Sequence, residues 1–169
     1  LPFSEQAAEA SAPIAWADVA RALDFPRDER DAQGFAALQA ALADAEFRAL
    51  LQAAEDVLAI LAAEGLHMED LPPDPAPLEA WAAYAEGARG AQAEAVGGVR
   101  DPEALERVRE RARRDPVFRD AALVLTRRWN GLVARVFREL GRDPVMLRLA
   151  DTRTGRAFML LARALGAFD

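Results

Sequence analysis

The chain has 169 residues, a formal net charge of −7, one histidine, one tyrosine and no cysteine or lysine. Zero cysteine excludes a disulfide framework, thiolate metal sites and cysteine nucleophiles. The acidic balance argues against non-specific nucleic-acid binding, which needs a positive footprint to release counterions. Forty alanines make up nearly half of the apolar residues, and alanine favours helix over strand because it loses no side-chain entropy there.

Charge is divided along the chain. Residues 1–99 hold 18 Asp and Glu against 5 Arg, whereas residues 100–169 hold 10 against 16. Halves of opposite sign attract when folded back on one another, or present two differently charged faces to partners. No run approaches the ~18 apolar residues of a membrane span, and no signal-peptide pattern opens the chain, so the expected compartment is the cytoplasm. Leu1 in place of Met suggests a processed or truncated piece, and an anchor or signal removed upstream would change that compartment.

Residues 1–12, rich in Ala, Glu and Ser without periodicity, are expected to be a mobile arm. Residues 13–169 are expected to form one helical domain, with an acidic subdomain over 13–70, a connector over 71–77 and a C-terminal helical subdomain over 78–169. Behind Pro13, the residues Trp16, Val19, Ala20 and Leu23 share one helical face, and Phe25-Pro26 stops that helix. A second helical stretch begins near Gln33, with Phe35, Leu38 and Leu42 on its stripe. Asp44 can cap a long helix whose apolar face runs from Phe47 through Leu50, Leu51 and Val57 to Leu61, ending at Gly65. The pattern leaves open whether these two stretches form one rod.

Four prolines within 71–77 rule out helix and predict a stiff, extended connector. Helix returns at Leu78 with Trp81, Ala82 and Ala85, with room to run to about Val96. Asp101-Pro102, Asp115-Pro116 and Asp143-Pro144 each set an N-cap acceptor before a proline at the first helical position. They predict helices over 102–114, 116–140 and 144–150, and a last helix covers 152–165. The stripe of 116–140 (Phe118, Ala122, Leu125, Trp129, Leu132, Val133, Val136, Leu140) passes through Asn130-Gly131, so Gly131 is read as a close helix–helix contact. Gly141 and Gly166 sit where C-terminal caps belong. The predicted fold is all-α, a single-domain helical bundle of about six to seven helices, with 44–64 and 116–140 as its central pair.

Reactive chemistry is scarce. Glu64-x-x-His67 has helical ligand spacing, and Glu64, His67 and Asp70, with Glu69 and Asp74 nearby, are the available metal ligands. There is no second His to complete a di-iron pattern, and Gly65 interrupts the helix, so a solvated acidic loop is the preferred reading. No catalytic residue and no cofactor is assigned. Thr152 and Thr154 are read as helix-start caps in preference to a phosphate site built with Arg153 and Arg156. In 102–114, Glu103 with Arg107 and Glu110 with Arg114 have favourable i, i+4 order. Arg128, Arg135 and Arg138 project from the 116–140 helix with few carboxylates near them in sequence. With Arg153 and Arg156 they are the expected partner-binding surface, which can serve the acidic half of the chain, an acidic protein or nucleic acid.

The phrases Glu69-Asp70-Leu71-Pro72-Pro73-Asp74, Trp81 with Ala85-Glu86-Gly87, the run from Asp115 to Ala122 and the ending from Ala150 to Leu161 carry a resemblance. Over about residues 45–169 the chain resembles uncharacterised all-helical proteins of GC-rich alphaproteobacteria. The resemblance implies a bacterial origin and a helical fold, and brings no activity with it.

The expected function is a non-enzymatic interaction or regulatory module that binds a protein partner through a helical face. A nucleic-acid-binding regulator is the first alternative, although the acidic balance makes nucleic acid an unfavoured partner. A small-ligand binder or enzyme with a pocket between helices is the second. Homo-oligomerisation through an alanine-rich face is also compatible with the pattern.

Overall fold

Alanine-rich periodicity becomes helix throughout the computed structural model, which describes residues 13–168; the expected arm at 1–12 lies outside the described residues. Among the described residues there are eight α-helices and no strand. They are α1 (Trp16–Leu23), α2 (Ala32–Leu42), α3 (Ala45–Ala63), α4 (Leu78–Ala85), α5 (Pro102–Arg114), α6 (Pro116–Leu140), α7 (Val145–Ala150) and α8 (Arg153–Ala164). The all-α expectation holds. No helix is long and apolar enough to cross a membrane among the described residues.

The front helices divide where a cap demands it. The Asp44 carboxylate accepts from the backbone N–H of Glu46 (3.0 Å) and Phe47 (3.1 Å), so α2 and α3 are separate helices. Helix α2 buries Gly34, Ala37 and Ala41 and leaves Phe35 45 % exposed, contrary to the expected stripe. The physical reason is size: a methyl-lined face lets α2 lie close along α1, whereas a phenyl ring would hold the axes apart. Helix α3 packs antiparallel on α6, its N-terminal Asp44 meeting Arg135 near the far end of α6.

Helix α4 stops at Ala85 and does not run to Val96. Gly87 adopts φ 102°, its N–H donates to the Tyr84 carbonyl and the Ala88 N–H donates to the Ala83 carbonyl, both at 3.0 Å. This double closure satisfies the last helical carbonyls and needs a left-handed residue, which glycine supplies without a Cβ penalty. Two 3₁₀ turns, Gly90–Gln92 and Glu94–Val96, replace the expected continuation.

Of the three Asp-Pro pairs, Asp115 caps α6 through the Phe118 N–H (3.1 Å) and Asp143 accepts from the Val145 N–H (2.9 Å). Asp101 makes no side-chain cap bond. The buried face of α6 is the predicted one except for Leu140, which is 37 % exposed at the helix end. Gly131 is not a helix contact, since a Cβ there would meet nothing within 4 Å. A glycine that does set a helix contact is Gly155, where a Cβ would strike the Ala150 backbone carbonyl and push α8 away from α7.

One apolar core runs through both the acidic and the basic portions of the chain. Its four largest fully buried side chains are aromatic: Trp81, Trp129, Phe118 and Phe158. Trp129 of α6 stacks on Phe158 of α8 with centroids 5.5 Å apart, and Trp81 of α4 meets both rings at 6.1 Å. The Tyr84 hydroxyl donates to Asn130 Oδ1 at 2.6 Å, which employs the asparagine inside α6 and ties α4 to that helix. The Trp129 indole N–H is buried with no hydrogen-bond partner among the described residues.

Helices α1 and α8 are latched end to end. The Thr154 hydroxyl donates to the orphan carbonyl of Leu23 (2.6 Å), and the Asp24 carboxylate accepts from the Arg153 N–H (3.0 Å) at the positive end of α8. Thr152 caps α8 as expected, through the Gly155 N–H, but Thr154 is a crosslink and not a cap. Phe25, just beyond the latch, has φ 61° and is the one non-glycine residue with positive φ among the described residues. Thr154→Val should cost about 1–3 kcal/mol by stranding the Leu23 carbonyl. The expected fall in Tm is about 3–10 °C by calorimetry; an unchanged Tm would show that the latch carries no stability.

Candidate functional site

The candidate metal ligands are not brought together. Glu64, at the C-terminal end of α3, gives its carboxylate to Arg111 (2.7 Å) and Arg114 (2.9 Å) of α5. The hydrogen bond from Arg111, followed by the field of Arg114, holds the Glu64 carboxyl below the usual glutamate range. His67 is exposed, and Asp70 lies exposed in the 3₁₀ turn Met68–Asp70. No cluster of three potential metal-ligating side chains forms among the described residues.

The five arginines expected to bind a partner separate into two groups. Arg135 turns inward. Its guanidinium forks onto Asp44 at 3.1 and 2.9 Å, pairs with Glu139 at 2.8 Å and lies over the Phe47 ring at 4.2 Å. Arg153 pairs with Glu69 at 3.5 Å. Arg156 binds Asp151 (2.9 Å) and the Met68 carbonyl (2.9 Å). These three serve the chain's own acidic groups. The backbone N–H of Arg153 is taken by Asp24, so the α8 N-terminus already holds a carboxylate where a phosphate would sit.

In α5, Glu103 pairs with Arg107 as expected, but Glu110 pairs with Arg113 (3.0 Å) while Arg114 reaches Glu64. The Arg107 side chain also donates to the Glu64 carbonyl at 2.9 Å. The arginine face of α5 therefore closes on the negative end of α3, and the local ion pair yields to a tertiary one.

Arg128 and Arg138 form the second group. Both are exposed on α6 and neither makes a hydrogen bond or ion pair among the described residues. Arg127, not among the five expected arginines, joins them in the same condition. Positions 117, 124, 128, 131 and 138 recur at spacings that place them on one helical face. Val117 is 71 % exposed and Val124 42 % exposed, and Leu123 flanks them. Gly131 lowers the centre of the face into a shallow cleft of about 90 Å³ floored by Leu50 and Leu132, with Arg127 and Arg128 at its rim and Glu46 opposite. The outer side of α6 is thus apolar near its start and basic from its middle onward. Leu123 and Val124 are the signal in the sequence: they are large apolar residues that fall off the buried stripe.

Partial burial opposes ionisation of Asp44, but the Arg135 guanidinium and the N–H groups of Phe47 and Glu46 outweigh it and hold the carboxyl below its ordinary range. A depressed folded-state pKa contributes stability that is complete above the unfolded value and disappears as pH falls through the folded one. Asp44→Asn keeps the cap and removes the ion pair, and should cost about 1 kcal/mol at pH 7. In urea titrations its stability gap to the native chain should be constant from neutral pH to the upper edge of carboxylate titration and close below it. A gap independent of pH would sink this account.

Comparison with protein-family models, with curated proteins and with solved structures finds no match to this chain.

Proposed function

We propose that this chain is a non-enzymatic helical interaction module that docks an acidic, amphipathic helix of a protein partner on the outer face of α6. One observation carries the reading. The chain has 28 carboxylates for 21 arginines, yet Arg127, Arg128 and Arg138, on one side of one helix, have no carboxylate partner among the described residues. In an acidic protein such a cationic island is attractive to an acidic surface and steers its approach. The neighbouring Val117, Leu123 and Val124 supply apolar area of the kind a helical partner covers with residues spaced i, i+4 and i+7. Gly131 lets a partner side chain approach the helix backbone.

The face suits a helix better than a nucleic acid. Its apolar end offers phosphates nothing, and Asp120 and Glu139 are exposed near its two ends. The positive footprint is three residues on a chain of negative charge, which releases few counterions.

A library of displayed helical peptides tests the reading. The native chain should enrich sequences with acidic residues at i, i+4 beside apolar ones. Enriched peptides should lose at least tenfold in affinity for Arg127→Glu/Arg128→Glu/Arg138→Glu, and also for Leu123→Ser/Val124→Ser. Enrichment that survives both variants, or no enrichment at all, would overturn the proposal. So would a 24-base-pair DNA duplex that binds the native chain and not the triple variant.

A further inference from the structure

We infer that the cleft beneath the proline connector is a binding site for a small, neutral, largely apolar molecule bearing an amide-like edge. The cleft encloses about 260 Å³ between the 71–77 segment and the α7–α8 corner, a little below the usual size of ligand sites. Its floor is Trp81, Ala150 and Met159. Its outer wall is Pro72, Pro73 and Pro75. Proline has no N–H to donate, so this wall offers ring carbons and, at most, carbonyl acceptors, which favours a largely apolar occupant.

The connector is fixed in place. The Asp74 N–H donates to the Gly98 carbonyl at 2.8 Å, and Leu71 and Ala76 are buried in the core. The cleft is therefore formed in advance of any ligand.

The charged side chains of the lining are Arg156 and Asp151. Arg156 gives Nε and Nη2 to a single oxygen of Asp151 (3.0 and 2.9 Å) and Nη1 to the Met68 carbonyl (2.9 Å). A guanidinium carries five N–H groups, so two donors remain, and the second Asp151 oxygen remains as an acceptor. Donor and acceptor stand side by side with cancelling charges. With the two charges cancelled, a carboxylate or an ammonium gains no net attraction to offset its lost hydration, whereas an amide or lactam edge satisfies both groups and loses little. This site is distinct from the outer face of α6 and does not depend on it.

The three methionines provide the readout, since only Met159 lines this cleft. Protein labelled with ¹³C at the methionine methyls would be titrated with benzamide, benzoate and benzylamine. Benzamide should shift Met159 saturably and leave the buried Met146 unmoved, and the two charged analogues should bind at least tenfold more weakly. Leu147→Trp, at the mouth, should abolish the shift. Asp151→Ala, at an exposed position between α7 and α8, should weaken benzamide at least fivefold. The inference fails if none of the three compounds moves Met159, if benzoate or benzylamine binds as well as benzamide, or if neither variant alters the titration.

Discussion

Helix α3 is gripped at both ends by arginines that the second half of the chain supplies. At its N-terminus the Asp44 cap receives the Arg135 fork from α6; at its C-terminus the Glu64 carbonyl and carboxylate receive Arg107, Arg111 and Arg114 from α5. The C-terminal contacts agree with the helix dipole, because cations favour a negative helix end. The N-terminal one keeps a carboxylate ionised where the dipole also wants a negative charge. Opposite charge in the two halves thereby becomes a positional constraint. It sets α3 antiparallel against α6 and fixes where the rest of the bundle closes.

Around that pair, polar side chains make specific what apolar burial alone would leave loose. The Tyr84–Asn130 bond joins α4 to α6, and the exchange between Leu23, Asp24, Arg153 and Thr154 joins α1 to α8. Each supplies a partner to a group that would be costly to bury alone. The aromatic cluster of Trp81, Trp129 and Phe158 fills the space that an alanine-rich chain cannot fill with methyl groups. Phe25 holds a left-handed backbone beside the latch, a conformation kept by its surroundings and not by its own preference.

The same closure decides which arginines stay unpaired. Arginines that reach a carboxylate or a helix-end carbonyl are spent on the fold, and those on the outward side of α6 are not. The proline connector likewise has two consequences. It links the front and rear helices, and because it cannot coil it stands away from α7 and α8, leaving the cleft over Trp81 and Met159.

Helix content, most helix ends and the buried stripe of α6 follow from the sequence, because periodicity, caps and proline act over a few residues. Asp44, Asp115 and Thr152 each cap a neighbouring N–H, and each was legible for that reason. Phe35, Gly131 and the stop at Gly87 were not: which face of a short helix is covered, and which glycine turns left-handed, depend on elements distant in the chain. The arginines show the division most plainly. Composition and helical periodicity are enough to make the second half basic and to take residues such as Arg128, Arg135 and Arg138 off the apolar stripe. That Arg135 faces Asp44, 91 positions away, while Arg127, Arg128 and Arg138 face outward, is settled by the packing of α3 against α6. The reason is that an ion pair needs about 3 Å between groups, and that proximity is created by packing, on which spacing along the chain is silent.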